Sequence, residues 1–160
     1  MLGEMDEALQ ALYEGDAERG EGLLPPDDRL DVFTAAAFGR LERLEQLLRD
    51  DPGLVAAFSA DGFTALHLAV FGRRLDAARL LLDRGADVNV RSTGPIARVP
   101  PLGTAAFVGS VALARLLLAR GADVNGEGEG GFTALDSALR NGDDELVRLL
   151  ESRGGERRIS

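Results

Sequence analysis

A short pattern recurs along this chain at intervals of 33 to 36 residues. The hexapeptide Arg-Gly-Ala-Asp-Val-Asn occupies positions 84–89 and returns at 120–125, and Gly-Phe-Thr-Ala-Leu occupies 62–66 and returns at 131–135. Self-similarity at a period of about 20 to 50 residues indicates a repeat architecture. Each unit of such a fold leaves an apolar face uncovered, and the next unit buries it. The chain is therefore expected to form a stack of similar units.

Four units align on one apolar anchor position each. The anchors are Val32, Leu66, Leu102 and Leu135, at intervals of 34, 36 and 33 residues. A leucine follows every anchor after 15 residues, and these are Leu47, Leu81, Leu117 and Leu150. Length differences fall outside this block, which is the pattern of two packed helices joined by loops of variable length.

Residues typical of helix ends flank these blocks. Thr64, Thr133 and Asp31 precede an anchor, where a side-chain oxygen can accept from a free N–H of the first helical turn. Gly85 and Gly121 follow the leucines, where glycine can adopt the left-handed conformation that ends a helix. The Asp and Asn residues after each of these glycines favour turns with local side-chain-to-backbone bonds.

These motifs resemble the ankyrin repeat, whose 33-residue unit carries a Thr-Pro-Leu-His-x-Ala signature. The best match is 62–89, in which Ala65 replaces the signature proline and His67 keeps the signature histidine. The fourth unit has Asp136 where the histidine would stand. The resemblance covers roughly 31–155 and implies an all-α fold, an ankyrin-repeat solenoid of stacked helix–turn–helix units with projecting β-turn loops.

We expect a single domain that begins with a degenerate, acidic unit and ends with a polar segment in place of the last turn motif. Caps of this kind are needed because end units lack a neighbour on one side, so the chain is expected to fold as a complete protein. The predicted parts are an acidic N-terminal capping helix pair at 1–30, repeat 1 at 31–60, repeat 2 with a long connecting loop at 61–99, repeat 3 at 100–130, and repeat 4 with the C-terminal cap at 131–160.

Composition excludes several kinds of site. The 160 residues contain no cysteine and one histidine, which rules out disulfides, thiolate nucleophiles and His-rich metal sites. The net charge is −9, of which −8 belongs to residues 1–31, and this balance argues against nonspecific nucleic-acid binding. With no long apolar run and no basic-then-apolar leader, we expect a cytoplasmic monomer without membrane contact, cofactor or metal.

No set of residues predicts catalysis. His67 occupies the signature position, which the resemblance assigns to structural hydrogen bonding, and no acid or nucleophile stands beside it in a catalytic pattern. The run 126–131 fits Gly-x-Gly-x-x-Gly literally, but its two glutamates would repel a phosphate and it falls between two helix pairs. Acidic pairs such as Asp143-Asp144 suit helix starts, where negative charge is favourable.

Aromatic and arginine side chains are the candidates for contact with a partner. Phe38, Phe71 and Phe107 lie near the end of the first helix in successive units, and the resemblance implies that this region and the turn tips form a concave binding surface. Aromatics and Arg dominate interface energetics, although a row of rings at repeat spacing also fits packing between helices. The partner-binding candidates are Phe38, Phe63, Phe71, Arg73, Arg91, Phe107, Val108, Phe132, Arg140 and Asn141.

The longest connection, 90–101, carries two arginines and β-branched residues, and loops carry function more often than cores. Taken together, the sequence predicts a non-enzymatic protein–protein interaction scaffold that binds a macromolecular partner on its concave surface and loop tips. The alternative is a small regulatory subunit or inhibitor that occludes an enzyme active site with its acidic N-terminal unit. A third possibility is an enzyme that uses carboxylates without a cofactor.

Overall fold

Ten α-helices follow one another in five antiparallel pairs in the computed structural model, which describes residues 4–159. Three short 3₁₀ helices lie between them, at Asp27–Arg29, Pro52–Ala56 and Glu129–Gly131, and this part of the chain has no β-strand beyond an isolated bridge between Phe58 and Thr64. The pairs are α1 (Glu4–Tyr13) with α2 (Ala17–Gly22), α3 (Val32–Ala37) with α4 (Leu41–Asp50), α5 (Ala65–Phe71) with α6 (Leu75–Asp83), α7 (Pro101–Val108) with α8 (Val111–Ala119), and α9 (Ala134–Asn141) with α10 (Asp144–Ser152).

The pairs stack in chain order into two layers. The first helices α3, α5, α7 and α9 contact one another in sequence and form the inner layer, while α4, α6, α8 and α10 form the outer layer. Helix α1 packs on α3 at one end of the stack. The predicted all-α solenoid is confirmed. The predicted boundaries between its parts stay predictions, and residues 1–3 and 160 lie outside the described residues.

Small side chains set the spacing of the inner layer. Ala35, Ala69, Ala105 and Ala138 are all fully buried, one on each inner helix. At the end of α5, a Cβ on Gly72 would lie 2.0 Å from the carbonyl oxygen of Ala37. Backbones this close leave no room for a side chain at Gly72, and the small alanines allow the neighbouring helices to approach each other.

The recurring leucine of the outer layer is buried in three of the four units. Leu81, Leu117 and Leu150 are completely inaccessible to solvent. In the first unit the expected Leu47 is only partly buried, and its neighbour Leu48 fills the core instead. Each fully buried leucine contributes about 1.5–3 kcal/mol relative to an exposed one, so these positions hold inner and outer layers together.

The predicted helix-end residues do what their positions indicated. The side chains of Asp31, Thr64 and Thr133 accept from backbone N–H groups at the starts of α3, α5 and α9. Gly85 and Gly121 follow α6 and α8 with φ of 93° and 91°, a region that residues with a Cβ rarely adopt. Local sequence therefore determines where these helices begin and end.

Two asparagines tie neighbouring turns together across the repeats. Asn89 Oδ1 accepts from the backbone N–H of Asp123 at 2.8 Å, and Asn89 Nδ2 donates to the carbonyl of Gly121 at 3.3 Å. Asn125 makes the same pair of bonds to Glu156 N and Gly154 O, at 2.7 and 3.1 Å. Each amide thus satisfies two backbone groups of the next turn, which fixes the spacing of the turns.

The N-terminal helix pair is held by packing and by charge. Glu21 on α2 pairs with Arg40 of the first repeat and, at 3.2 Å, with Arg74 of the second. The Phe38 ring is completely buried against α2, where a Cβ on Gly20 would lie 2.9 Å from its Cζ atom. Phe38 therefore belongs to the core and cannot touch a partner, so its prediction as a binding residue is wrong.

Arg73 has a left-handed backbone in a position where other units have glycine. The turn between the two helices of a unit has φ of 66° at Gly39, 70° at Gly109 and 68° at Gly142, and Arg73 has φ of 60°. Its guanidinium donates to the carbonyl of Val108 at the end of α7. The side chain therefore caps a helix of the next unit while its own backbone is strained.

None of the helices between residues 4 and 159 combines the length and hydropathy that a membrane span requires.

The backbone strain at Arg73 predicts that Arg73→Gly is more stable than Arg73→Ala by about 1 kcal/mol, because only glycine adopts the left-handed region freely. Both variants lose the guanidinium, so their difference isolates the backbone. Urea unfolding followed by circular dichroism measures it, and Gly109→Ala in the next unit, expected to lose a similar amount, is the matched control. Equal midpoints for the two Arg73 variants would contradict the prediction.

Candidate partner-binding groove

An apolar groove of about 510 Å³ opens between the inner layer and the long connection. We call it the aromatic groove, because Tyr13, Phe63, Phe71, Phe107 and Phe132 line it. Ile96 and Arg98 of the long connection and Arg140 of α9 also face it. Its size lies within the range of about 300–1,000 Å³ that is typical of ligand sites.

Three rings form a continuous surface along the groove. Phe71 at the end of α5 and Phe107 on α7 are nearly parallel, with an interplanar angle of 17° and centroids 6.2 Å apart. Tyr13 of α1 meets Phe71 edge-on, with centroids 5.5 Å apart. Phe107 is 68% exposed, although burial of a phenylalanine side chain usually stabilises a fold. This surface is therefore available to a partner.

The far side of the groove carries positive charge beside an aromatic ring. The Arg140 guanidinium lies 4.5 Å from the centroid of the Phe132 ring, which is a cation–π contact. Arg98 and Glu129 line the same region. This end of the groove can accordingly hold a polar group next to an apolar one.

The long connection is fastened down and forms one wall of the groove. The hydroxyl of Ser92 donates to the carbonyl of Ala97 at 2.6 Å and accepts from the N–H of Val99 at 2.9 Å. Ser92 is buried, and the N–H of Thr93 donates to the carbonyl of Gly62. These bonds close the connection into a tight loop, with Ile96 exposed near its tip.

His67 joins this wall to α5. Its Nε2 faces the carbonyl of Val99 at 2.8 Å, and its Nδ1 faces the N–H and hydroxyl of Thr64. A carbonyl only accepts, so we assign the proton to Nε2 and the lone pair to Nδ1. Burial lowers the pKa of His67 to about 4. A second proton would have to sit on Nδ1, where it would point at the N–H of Thr64. The imidazole is a structural link with both nitrogens used.

Asp136 makes the corresponding connection in the last unit. One carboxylate oxygen accepts from Thr133 N and Oγ1, and the other accepts from the backbone N–H groups of Arg158 and Ile159. Burial by itself would raise the pKa of Asp136, and these four hydrogen bonds together lower it. The carboxylate thereby fixes the segment that follows α10 against α9.

Tyr13 contributes its ring to the groove and its hydroxyl to a separate contact. The hydroxyl donates to Asp61 Oδ2 at 3.5 Å. Burial, followed by the nearby Asp61 carboxylate, raises the pKa of Tyr13. The phenol is therefore protonated at neutral pH and is a neutral part of the groove.

Four of the predicted binding residues face the aromatic groove with accessible surface. Phe71 and Phe132 are partly buried, and Phe107 and Arg140 are exposed. Phe63 also lines the groove, but it is only 8% exposed and serves as its floor. The aromatic side chains therefore range from buried at Phe63, through partly buried at Phe71 and Phe132, to exposed at Phe107.

The other predicted residues lie elsewhere. The Arg73 guanidinium donates to the carbonyl of Val108, and the Asn141 side chain donates to the carbonyl of Ala106. Arg73, Val108 and Asn141 do not line the groove. Arg91 lines a separate polar hollow of about 360 Å³ beside the linked turns of Asn89 and Asn125. None of these four residues joins the aromatic row.

The binding candidates drawn from the sequence omit Tyr13, Ile96 and Arg98. Ile96 and Arg98 belong to the longest connection, whose length and β-branched residues were a usable signal. Nothing local marks Tyr13, because only the packing of α1 on α3 brings it to the groove. No group of three or more His, Asp or Glu side chains within 4–159 is arranged to hold a metal ion.

The model of one protein family, described as the ankyrin repeat, matches residues 61–93. That stretch contains α5, α6 and the first part of the long connection. It includes the repeat that carries both His67 and Phe71.

Several characterised proteins are similar over part of their length. A rice protein named probable E3 ubiquitin-protein ligase XBOS31 is 44% identical over 66 residues, which is 41% of this chain and 15% of that protein. Rat ankyrin repeat and SAM domain-containing protein 6 is 33% identical over 126 residues, 78% of this chain and 14% of that protein. Human transient receptor potential cation channel subfamily A member 1 is 32% identical over 158 residues, 92% of this chain and 14% of that protein. The chain spans about one seventh of the length of these relatives.

The lowered pKa of His67 predicts that stability falls in mildly acidic solution. Above pH 6.5 the imidazole of His67 is neutral in both the folded and the unfolded chain, so its contribution to the free energy of unfolding is fully present. Between about pH 6.5 and 4 the unfolded chain takes up the proton and the folded chain does not. The free energy of unfolding should decrease by about 3 kcal/mol over that window from this group.

Since His67 is the one histidine of the sequence, its titration can be followed by NMR without assignment. We expect a midpoint near pH 4 in the folded protein and near 6.5 in urea. His67→Gln should remove the histidine-linked part of the change in stability. A folded-state midpoint near 6.5 would refute the assignment of a buried, neutral imidazole.

Proposed function

Since the chain belongs to the ankyrin repeat family, whose repeats generally mediate protein–protein interactions, we propose that it binds a macromolecular partner in the aromatic groove and on the adjacent loop tips. The observation that carries the proposal is the stacked pair of Phe71 and the 68% exposed Phe107. Aromatic side chains in a preformed hollow are the residues that contribute most to binding free energy at interfaces. The rigid stack and the anchored loop keep the groove open without a partner.

A non-enzymatic role agrees with the chemistry of the groove. The family is typically non-enzymatic, and His67, the one imidazole, has both nitrogens occupied by Thr64 and Val99. The relative named as a ligase is matched over 15% of its length, so its name does not extend to this chain. We propose that the module acts as a monomer in the cytoplasm, which equilibrium sedimentation and fractionation of the source cells would test.

The alternative is an inhibitor that uses the acidic N-terminal unit, and the contacts of that unit favour it less. Asp16 caps α2, Asp27 pairs with Arg40, and Glu21 pairs with two arginines of the repeats. These carboxylates therefore stabilise the N-terminal helix pair. An inhibitor that occludes an enzyme active site with these carboxylates would need them unpaired and available to the enzyme.

The proposal predicts that Phe107→Glu raises the Kd for a groove-bound partner at least about tenfold, because a charge replaces an exposed aromatic contact. Proteins captured on the immobilised chain from a lysate of its source are identified, purified and titrated by calorimetry. Phe58→Glu is the matched control, since Phe58 is 44% exposed and does not line the groove. Partners that bind Phe107→Glu as tightly as the original chain would move the binding site away from the groove.

A further inference from the structure

We propose that the occupant of the aromatic groove is an extended peptide segment in which a large apolar side chain neighbours an aspartate or glutamate. The inference rests on the proposed function and specifies the chemistry of the partner. It follows from three features of the groove: two arginines without carboxylate partners, an arginine oriented by an aromatic ring, and a length that suits a short strand.

The two arginines that face the groove are not neutralised by the chain's own carboxylates. Across residues 4–159, Arg98 and Arg140 have no carboxylate within ion-pair distance, although both line the groove. Ion pairs to Asp or Glu are made by Arg19, Arg40, Arg74, Arg79, Arg84, Arg120 and Arg158. In the same range Arg115 and Arg148 also make none, so Arg98 and Arg140 are set apart by their position beside the apolar lining of the groove. The groove therefore retains two cations that a carboxylate from outside can use.

Arg140 is held in an orientation that suits this use. Its guanidinium lies over the Phe132 ring, with 4.5 Å between the guanidinium carbon and the ring centroid. A guanidinium that lies over a ring can keep N–H groups at its edge free to form a two-point bond with a carboxylate. Arg140 itself is exposed. An apolar side chain bound beside it would shield the ion pair from water on that side and so strengthen it.

The apolar part of the groove lies beside these cations. Phe71, Phe107 and Ile96 offer exposed or half-exposed hydrocarbon. Packed helices generally lie about 8–10 Å apart from axis to axis, so a groove that crosses α5, α7 and α9 is expected to extend about 16–20 Å. An extended peptide rises about 3.3 Å per residue, and five or six residues would span that length.

The local charge favours an acidic segment over a basic one. The residues that line the groove include Arg98 and Arg140 but only one carboxylate, that of Glu129. The excess negative charge of the chain belongs instead to residues 1–31. The Debye length at physiological ionic strength is about 8 Å, so charges farther away than this are largely screened. The groove arginines therefore dominate the electrostatic interaction with a bound peptide.

A display library of random dodecapeptides tests the inference. The peptides are fused at their C-termini to the carrier, so Asp and Glu side chains are the carboxylates on offer. Selection is made on the folded full chain, with Phe107→Glu as counter-target. We expect the enriched peptides to carry an aromatic or large aliphatic residue within two positions of an aspartate or glutamate.

The strongest binder is then synthesised with amidated ends, together with a version in which its acidic residue is changed to the amide. Loss of the carboxylate should raise the Kd about tenfold, as expected for a charged hydrogen bond. Arg98→Gln and Arg140→Gln should each weaken the acidic peptide and leave the amide version nearly unchanged. Arg148→Gln is the matched control, because Arg148 is exposed on α10 and does not line the groove.

The outcomes separate this inference from the proposed function. Peptides that depend on Phe107 but show no enrichment of Asp or Glu, or that carry Lys or Arg instead, would overturn the acidic occupant while the groove remains the site. Peptides indifferent to Phe107→Glu would contradict the groove itself. Failure of any peptide to be enriched would overturn the extended segment as the occupant.

Discussion

The close approach of the inner helices is the constraint on which the rest of the structure depends. Alanines such as Ala69 and Ala105 are fully buried where α5 and α7 meet, and Gly72 leaves no space for even a methyl group beside Ala37. This spacing brings equivalent positions of successive units to within contact distance. As a result, Phe71 and Phe107, 36 residues apart, stack on each other, and the turns of Asn89 and Asn125 reach the next unit.

The groove exists because the two sides of the inner layer differ. One side is filled by the outer helices and their leucines. On the other side, the long connection is fastened through Ser92 and His67, and it faces the rings while leaving Phe107 exposed. Exposed aromatic surface is compatible with a stable fold here because the most exposed ring, that of Phe107, belongs to neither hydrophobic cluster. Phe63 is part of one cluster, and Tyr13 and Phe71 pack against it. A partner can therefore bind without any unit unfolding.

Features encoded locally could be predicted from the sequence, and features that depend on the neighbouring unit could not. The spacing of the anchors and end residues such as Thr64 and Gly85 indicated the helix pairs and their ends. Phe38 and Phe71 occupy similar sequence positions, yet Phe38 is buried by Gly20 of α2 and Phe71 is not. Sequence spacing carries no information on which ring is covered by the terminal helix pair. The same applies to Tyr13, which reaches the groove from another part of the chain.

The anchored long connection separates the recognition of a partner from the stability of the fold, two properties that are coupled in most proteins. Pro95, Ile96 and Arg98 of this connection are exposed. The loop is fastened on either side of them, where Thr93 and Gly94 lie against the backbone of Gly62 and where Val99 bonds to His67. Loops can change in length and sequence at little cost to the elements they join. Substitution of the exposed Ile96 or Arg98 can thus alter the wall of the groove, and with it the choice of partner, at little cost to the stability of the repeats. For this chain, recognition is free to evolve on one face while the scaffold stays constant.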